Sequence, residues 1–210
     1  MPSFASGSTA TTLYTPAAIT ADSNSAGLDI SGASCEAMVV LTGKSVAGTN
    51  PTLAVKLQHA QGGDIVTSVT PGSNTGNGTC TQVYGSADTV AEDITVTIGA
   101  DTSTFTVSGS ITGAMAAGTV GTLYSNAQVE FMVTAGSTGF AQNDTFVIVT
   151  TARTYADVSG GGFTGLTTAG SVQRIAINTD KLGKYLRLNF DIGGTNSPQF
   201  IVGAGIFWMA

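Results

Sequence analysis

Apolar and polar residues alternate in short segments along most of this chain, and this period of two constrains the fold more than any other feature. The clearest segment is 186–192, in which every second residue is apolar, and similar segments cover 53–57, 94–98, 104–108 and 129–133. Such alternation places the apolar side chains on one face of a β-strand. Stretches rich in Gly, Pro, Asn and Ser separate the segments, so the sequence predicts many short strands joined by turns.

Continuous apolar runs form a second kind of segment. They occur at 37–41, 146–149 and 200–202, and such runs are typical of strands that are covered on both faces. Helical periodicity is weak, and the best candidate is a short turn at 178–185 that Asn178 or Thr179 would cap and Gly183 would limit. Many short strands spaced about 8–12 residues apart indicate an all-β sandwich or barrel.

The distribution of charge suggests two parts. All seven Lys and Arg residues lie outside residues 71–150, and this segment opens with the turn-rich stretch Pro71–Gly78. We therefore predict a small β-subdomain at 71–150, inserted into a discontinuous β-sandwich formed by 1–70 and 151–210. The alternative is one continuous domain with a long hairpin excursion.

Low charge excludes several classes of function. Charged residues make up 10% of the chain, the formal net charge is −6 and there is one His, so a basic nucleic-acid binder is excluded and an enzyme is not expected. The longest apolar stretch, 200–210, is far shorter than the roughly 20 residues that span a bilayer. No secretory signal pattern opens the sequence, so we expect Cys35 and Cys80 to be free thiols in a reducing compartment.

Four motifs resemble functional sites without meeting their requirements. The stretch Gly160–Gly165 matches G-x-G-x-x-G but precedes a poor helix, so no nucleotide or other cofactor is expected. The stretch Asp22–Gly27 resembles the start of a calcium-binding loop that lacks its final Glu, which leaves a surface calcium site open. We predict a solvated loop for the acidic cluster of Asp88, Glu92 and Asp93, and a surface or edge-strand position for His59.

The chain's few cations and its one Trp are the candidate partner contacts. Arg174, Lys181, Lys184 and Arg187 form the only concentration of positive charge. They would either meet an acidic partner surface or belong to a solvated connector and strand edge. Trp208, in the apolar C-terminal stretch, is either an anchor at a subunit contact or part of the core.

Several stretches of the chain resemble structural proteins of tailed bacteriophage heads. They are Phe163–Leu166, Ala169–Gln173, Leu182–Leu188 and Ser197–Ala204, together with an internal region from Phe105 to Phe146 that resembles an inserted β-module. On these stretches the chain is similar to head decoration, or capsid cement, proteins. The resemblance implies a jelly-roll-like β-sandwich with an inserted small β-subdomain.

The resemblance also implies a function. Decoration proteins bind the major capsid protein on the outer shell and brace it, commonly as dimers or trimers. We would then expect a non-catalytic homo-oligomer on the capsid surface of the virion, made in the host cytoplasm, with no nucleic-acid or membrane partner. The alternative is a phage adhesin or tail-associated carbohydrate-binding module with an aromatic groove, whose candidate residues are Tyr84, Tyr124, Phe140 and Tyr155.

Overall fold

The computed structural model of the chain describes residues 10–33, 36–63, 65–166 and 170–209. It divides into two compact units, which we call unit 1 (Met1–Gly62 with Thr154–Ala210) and unit 2 (Gly63–Arg153). The sequence placed the corresponding boundaries at 70/71 and 150/151. Each unit has a hydrophobic core of its own.

The described residues form sixteen β-strands, one short 3-10 turn and no α-helix. The first eight strands are β1 (Ala10–Ile19), β2 (Ser23–Asn24), β3 (Leu28–Asp29), β4 (Glu36–Ala60), β5 (Val66–Pro71), β6 (Thr79–Gly85), β7 (Asp93–Ile98) and β8 (Thr104–Gly109). The others are β9 (Gly113–Ala114), β10 (Gly118–Thr119), β11 (Leu123–Ser125), β12 (Val129–Thr134), β13 (Thr145–Thr150), β14 (Ala156–Leu166), β15 (Ser171–Asn178) and β16 (Tyr185–Trp208). The observed strand pairs are antiparallel, and the all-β prediction is confirmed.

Two long strands organise unit 1. β4 has 25 residues and β16 has 24, and they pair from Ala60 opposite Tyr185 to Ala37 opposite Trp208. The sequence predicted two shorter strands in each of these stretches, because turn-forming residues lie at 48–51 and 193–198. In the structure, these residues form register shifts and positive-φ positions within a continuous pair of strands. A bulge bends a strand without ending its pairing, which explains the difference.

The two halves of this strand pair belong to different layers. Residues 53–60 and 185–192, with β14, β2 and β3, form the first layer, and residues 36–44 and 200–208, with β15 and β1, form the second. The rings of Tyr14 in the second layer and Phe190 in the first lie 4.9 Å apart. The layers therefore pack face to face around one core, as in a β-sandwich.

The period of two in the sequence decides which residues enter this core. On β4, Val39 and Leu41 in one layer and Leu53 and Leu57 in the other are fully buried. Their sequence neighbours point outward and are exposed or half-buried.

The short turn before β16 is a single 3-10 turn, Thr179–Lys181, and Asn178 caps it by accepting a hydrogen bond from the Asp180 N–H at 2.9 Å.

Unit 2 is a smaller pair of sheets. One has the strand order β10-β8-β7-β13-β5, with β9 paired to β8, and the other has the order β11-β12-β6. Phe105, Tyr124 and Phe131 form an aromatic cluster in its core, with ring centroids 4.7–5.8 Å apart. These contacts supply much of the apolar burial in a unit with short strands.

Substitution of Gly43 by Ala should destabilise unit 1. The added methyl carbon would lie 2.7 Å from Cδ1 of Leu166 in the other layer and 3.1 Å from the Ile201 carbonyl oxygen. Overpacking of this kind costs about 1–3 kcal/mol. Gly205→Ala is the matched control, because its methyl group would meet nothing closer than 3.6 Å. Urea unfolding of both variants measures the difference, and equal midpoints would contradict the close approach of the layers.

Candidate functional site

The outer face of the first layer carries a polar network. The Asp157 carboxylate accepts hydrogen bonds from Gln58 Nε2 at 2.8 Å and Lys56 Nζ at 3.0 Å, and these bonds hold its pKa below the ordinary value. Arg187 Nε donates to Gln58 Oε1 at 3.0 Å, and its guanidinium carbon lies 3.9 Å from the centroid of the Tyr155 ring. This face has the polar character that is typical of a solvated side of an antiparallel sheet.

The outer face of the second layer has the opposite character. The strand register places Ile201 beside Lys44, Gly203 beside Thr42 and Phe207 beside Met38. β15 continues the last two rows, with Val172 beside Thr42 and Ala176 beside Met38. We call this surface the apolar face. Its outward residues are Ala10, Thr12, Pro16, Ala18, Glu36, Met38, Val40, Thr42, Lys44, Val172, Arg174, Ala176, Asn178, Ile201, Gly203, Gly205 and Phe207.

A shallow groove crosses the apolar face. Its volume is about 380 Å³, and its lining includes Pro16, Thr42, Lys44, Val172, Ile201 and Gly203. Val172 is 55% exposed and Ile201 is 45% exposed. Because two large exposed apolar side chains adjoin this groove, we take the apolar face as the candidate interaction site.

A signal for this site is present in the sequence. The continuous apolar runs 37–41 and 200–202 predict strands that are covered on both faces, and both runs belong to the second layer. Their inner side chains are fully buried, whereas their outer side chains form the apolar face. The pattern identified the strands, but the location of the face required the pairing of β4 with β15 and β16.

Positive charge lies on the apolar face. Lys44 and Arg174 point outward, and within the described residues neither makes a hydrogen bond or an ion pair. Glu36 is the carboxylate at the far end of the same face, opposite Asn178. A partner that covers this face would therefore pair best if it carried carboxylates near both cations.

The four cations that the sequence grouped are spread over unit 1. Arg174 belongs to the apolar face, and Lys181 is exposed in the 3-10 turn. Lys184 Nζ lies 3.4 Å from the Asp29 carboxylate, and Arg187 belongs to the polar network of the first layer. The structure therefore does not bring these four side chains together in one patch.

Trp208 faces the inside of the sandwich. It lies opposite the buried Ala37, packs against the core of unit 1 and donates a hydrogen bond from Nε1 to Thr11 Oγ1 at 3.1 Å. These are the contacts of a core residue, the second of the two roles that the sequence left open.

Two buried carboxylates in unit 2 hold loops in place. Glu92 is 6% exposed and accepts hydrogen bonds from the N–H groups of Ile111 and Thr112, each at 3.0 Å, so the prediction of a solvated loop is wrong for this residue. Asp144 accepts from the N–H groups of Ala141, Thr75 and Gly76 at 2.8–3.0 Å. Both carboxylates accept hydrogen bonds from loop N–H groups in place of backbone carbonyl acceptors.

The remaining chemically reactive groups also have structural settings. His59 is half-buried in β4, between β14 and β16 and not on an edge strand, and its Nδ1 accepts a hydrogen bond from the Gly183 N–H at 2.9 Å. Burial raises the pKa of the Cys80 thiol to about 12, which leaves it protonated at neutral pH. Cys35 lies outside the described residues.

The glycine-rich motif and the calcium-loop motif both have structural roles in unit 1. Gly160–Gly165 lies within β14, and Asp22 Oδ1 accepts a hydrogen bond from the Ile192 N–H at 2.8 Å. In the part of the chain that the structure describes, no three His, Cys, Asp or Glu side chains are grouped to hold a metal ion. Within that same part, no helix has the length and apolar character needed to cross a membrane.

The aromatic residues that the sequence grouped for carbohydrate binding are not on one surface. Tyr124 and Phe140 are buried in the core of unit 2. Tyr84 is exposed in unit 2, and Tyr155 lies against Arg187 in unit 1. Two of the four side chains are thus unavailable to a ligand.

Comparisons with known proteins return little. No model of a protein family matches the chain, and no curated protein matches it. Two crystal structures of Xanthomonas campestris FlgL, in space groups C2 and H3, align with 21% and 22% identity over 49% and 48% of this chain, each with a TM-score of 0.34. The alignments span 32% of the FlgL chain.

Acid should destabilise unit 2 through Asp144. Its backbone hydrogen bonds, first of all that from Ala141, hold its pKa below the ordinary 3.8. The unfolded chain therefore binds this proton more readily, so the stabilisation is complete above about pH 4 and is lost as the pH falls through the folded pKa. Urea unfolding should show a larger deficit for Asp144→Asn at about pH 7 than at about pH 3.

The control for this experiment is Asp93→Asn, which removes an exposed carboxylate of the same unit. Its stability relative to the unmodified protein should change little between the two pH values. A deficit for Asp144→Asn that is the same at both pH values would contradict the role assigned to the Asp144 carboxylate.

Proposed function

We propose that this chain is a non-catalytic structural protein that decorates and stabilises the outer shell of a tailed-phage capsid, and that the apolar face binds the shell. The observation that carries the proposal is the difference between the two outer faces of unit 1. One face has a polar network suited to water, and the other exposes Val172 and Ile201 around a groove. An all-β scaffold of this kind can attach to a shell through sheet surface alone.

The size of the apolar face suits binding in many copies. Four strands about 4.8 Å apart and about eight residues long span roughly 500 Å². A stable interface between two proteins usually buries about 800 Å² on each partner. A contact below that size becomes effective when many linked copies bind one lattice, because later contacts form at a high local concentration.

The settings of the reactive groups support a non-catalytic role. The Glu92 and Asp144 carboxylates are engaged by the backbone of their own loops. Cys80 is protonated at neutral pH, and His59 Nδ1 is engaged by the Gly183 N–H. The major capsid protein is the proposed partner, and carboxylates on its outer surface would complement Lys44 and Arg174.

A binding assay with capsid shells tests the proposal. Ile201→Asp places a charge in the groove of the apolar face, on an exposed side chain of β16. Loss of an exposed apolar contact in the groove should weaken co-sedimentation with expanded, undecorated heads of the encoding phage about tenfold or more. Ala54→Asp is the matched control, because Ala54 is exposed on the first layer; since its new carboxylate lies opposite Asp191, urea unfolding must show that this variant stays folded.

Three outcomes are decisive. Binding of the unmodified protein and of Ala54→Asp, with loss for Ile201→Asp, supports both the function and the surface. Equal binding of all three proteins contradicts the surface. Failure of the unmodified protein to bind undecorated heads contradicts capsid decoration itself.

A further inference from the structure

We propose that a second copy of this chain adds to the free edge of β15, in antiparallel two-fold pairing, and that the resulting dimer has one apolar face continuous across both copies. The pairing needs only unit 1 and does not depend on shell binding. A two-fold strand pairing closes at two copies. Of the two oligomers that the sequence left open, the proposal therefore predicts the dimer and not the trimer.

The edge of β15 is more regular than the other edges of unit 1. β15 pairs with β4 over eight consecutive residues without a register shift, and within the described residues its other side has no strand partner. β1 contains Pro16 and two register shifts, β14 contains two register shifts, and β2 and β3 have two residues each. Proline, bulges and short length are three of the features that keep edge strands from pairing, and β15 has none of these three, although it carries Arg174.

The edges of unit 2 are protected in the same ways. β5 ends in Pro71 and has a register shift against β13. β6 has a register shift and a positive φ at Gln82, and β9, β10 and β11 have two or three residues each. Among the described strands, β15 is therefore the edge best suited to accept another strand.

The proposed register is centred on Ile175, and the side chains of β15 favour it over one centred on Arg174. Its even-numbered residues lie on the apolar face, whereas Ile175 and Ile177 face the core. A register centred on Arg174 would place two arginines opposite each other, which is destabilising. A register centred on Ile175 places Arg174 opposite Ala176 of the second copy and the two Ile175 side chains opposite each other. The two cores would then meet through an apolar cross-strand pair.

Charge and area favour edge pairing by a second copy. Stacking two apolar faces on each other would bury Lys44 and Arg174 of both copies, and buried charges without partners are costly. Pairing at the edge leaves these cations in solvent. It also doubles the continuous outer sheet surface to roughly 1,000 Å², which exceeds the roughly 800 Å² per partner of a standard interface.

The register predicts opposite effects of two charges at one position. Ala176 is exposed, so its substitution should leave the fold intact. Ala176→Arg places like charges opposite each other twice in the dimer, and should raise the dimer Kd about fivefold. Ala176→Glu places Glu opposite Arg174 twice, and should lower the Kd by a similar factor. Sedimentation equilibrium of the full chain measures both constants.

Ala18→Arg is the matched control. Ala18 is exposed on the apolar face at the opposite edge strand, β1, so this variant adds the same charge to the same layer. Its Kd should equal that of the unmodified protein. A full chain that stays monomeric up to about 1 mM would overturn the proposal. So would a dimer that Ala18→Arg weakens, or one on which the two substitutions at position 176 act alike.

Discussion

Two strands of 25 and 24 residues pair along their whole length in unit 1, and both layers of its sandwich are built on them. β1, β2 and β3 pair with β16, whereas β14 and β15 pair with β4. No strand of unit 1 within the described residues is independent of this central pair. The bulged stretch at 44–52 and 193–199 therefore decides how the two layers meet. Among the residues that the structure describes, no other strand flanks it on either side, and its own residues are mostly exposed.

Because the two layers share their central strands, each strand presents two different outer surfaces. In the first layer the outward residues include Lys56, Gln58 and Arg187, whose polar atoms bond to one another or to a neighbouring strand. In the second layer the same strands present Val40 and Ile201. Sandwich packing explains the inner residues of both layers, since the core needs them. It does not explain an apolar outer surface, which the proposed function in binding would explain.

The sequence correctly predicted those structural elements that depend only on residues close together in the chain. Period-two alternation identified strand segments such as 186–192, and Asn178 signalled its cap, because these depend on neighbouring residues. The long strands were missed, because Gly48 and Gly194 can form a bulge as readily as a turn, and only their pairing decides between the two. The burial of Glu92 was missed because its partners, Ile111 and Thr112, lie about twenty residues further along the chain.

The charges on the apolar face differ in sign from the net charge of the chain. The chain has a formal net charge of −6, yet the face carries Lys44 and Arg174, with Glu36 at its end. A protein of this overall charge repels its own copies at distances comparable with the Debye length, about 8 Å at physiological ionic strength. The cations oppose this repulsion where the face meets an acidic surface. In the proposed contact through the apolar face, Lys44 and Arg174 would therefore add electrostatic attraction to the burial of apolar surface.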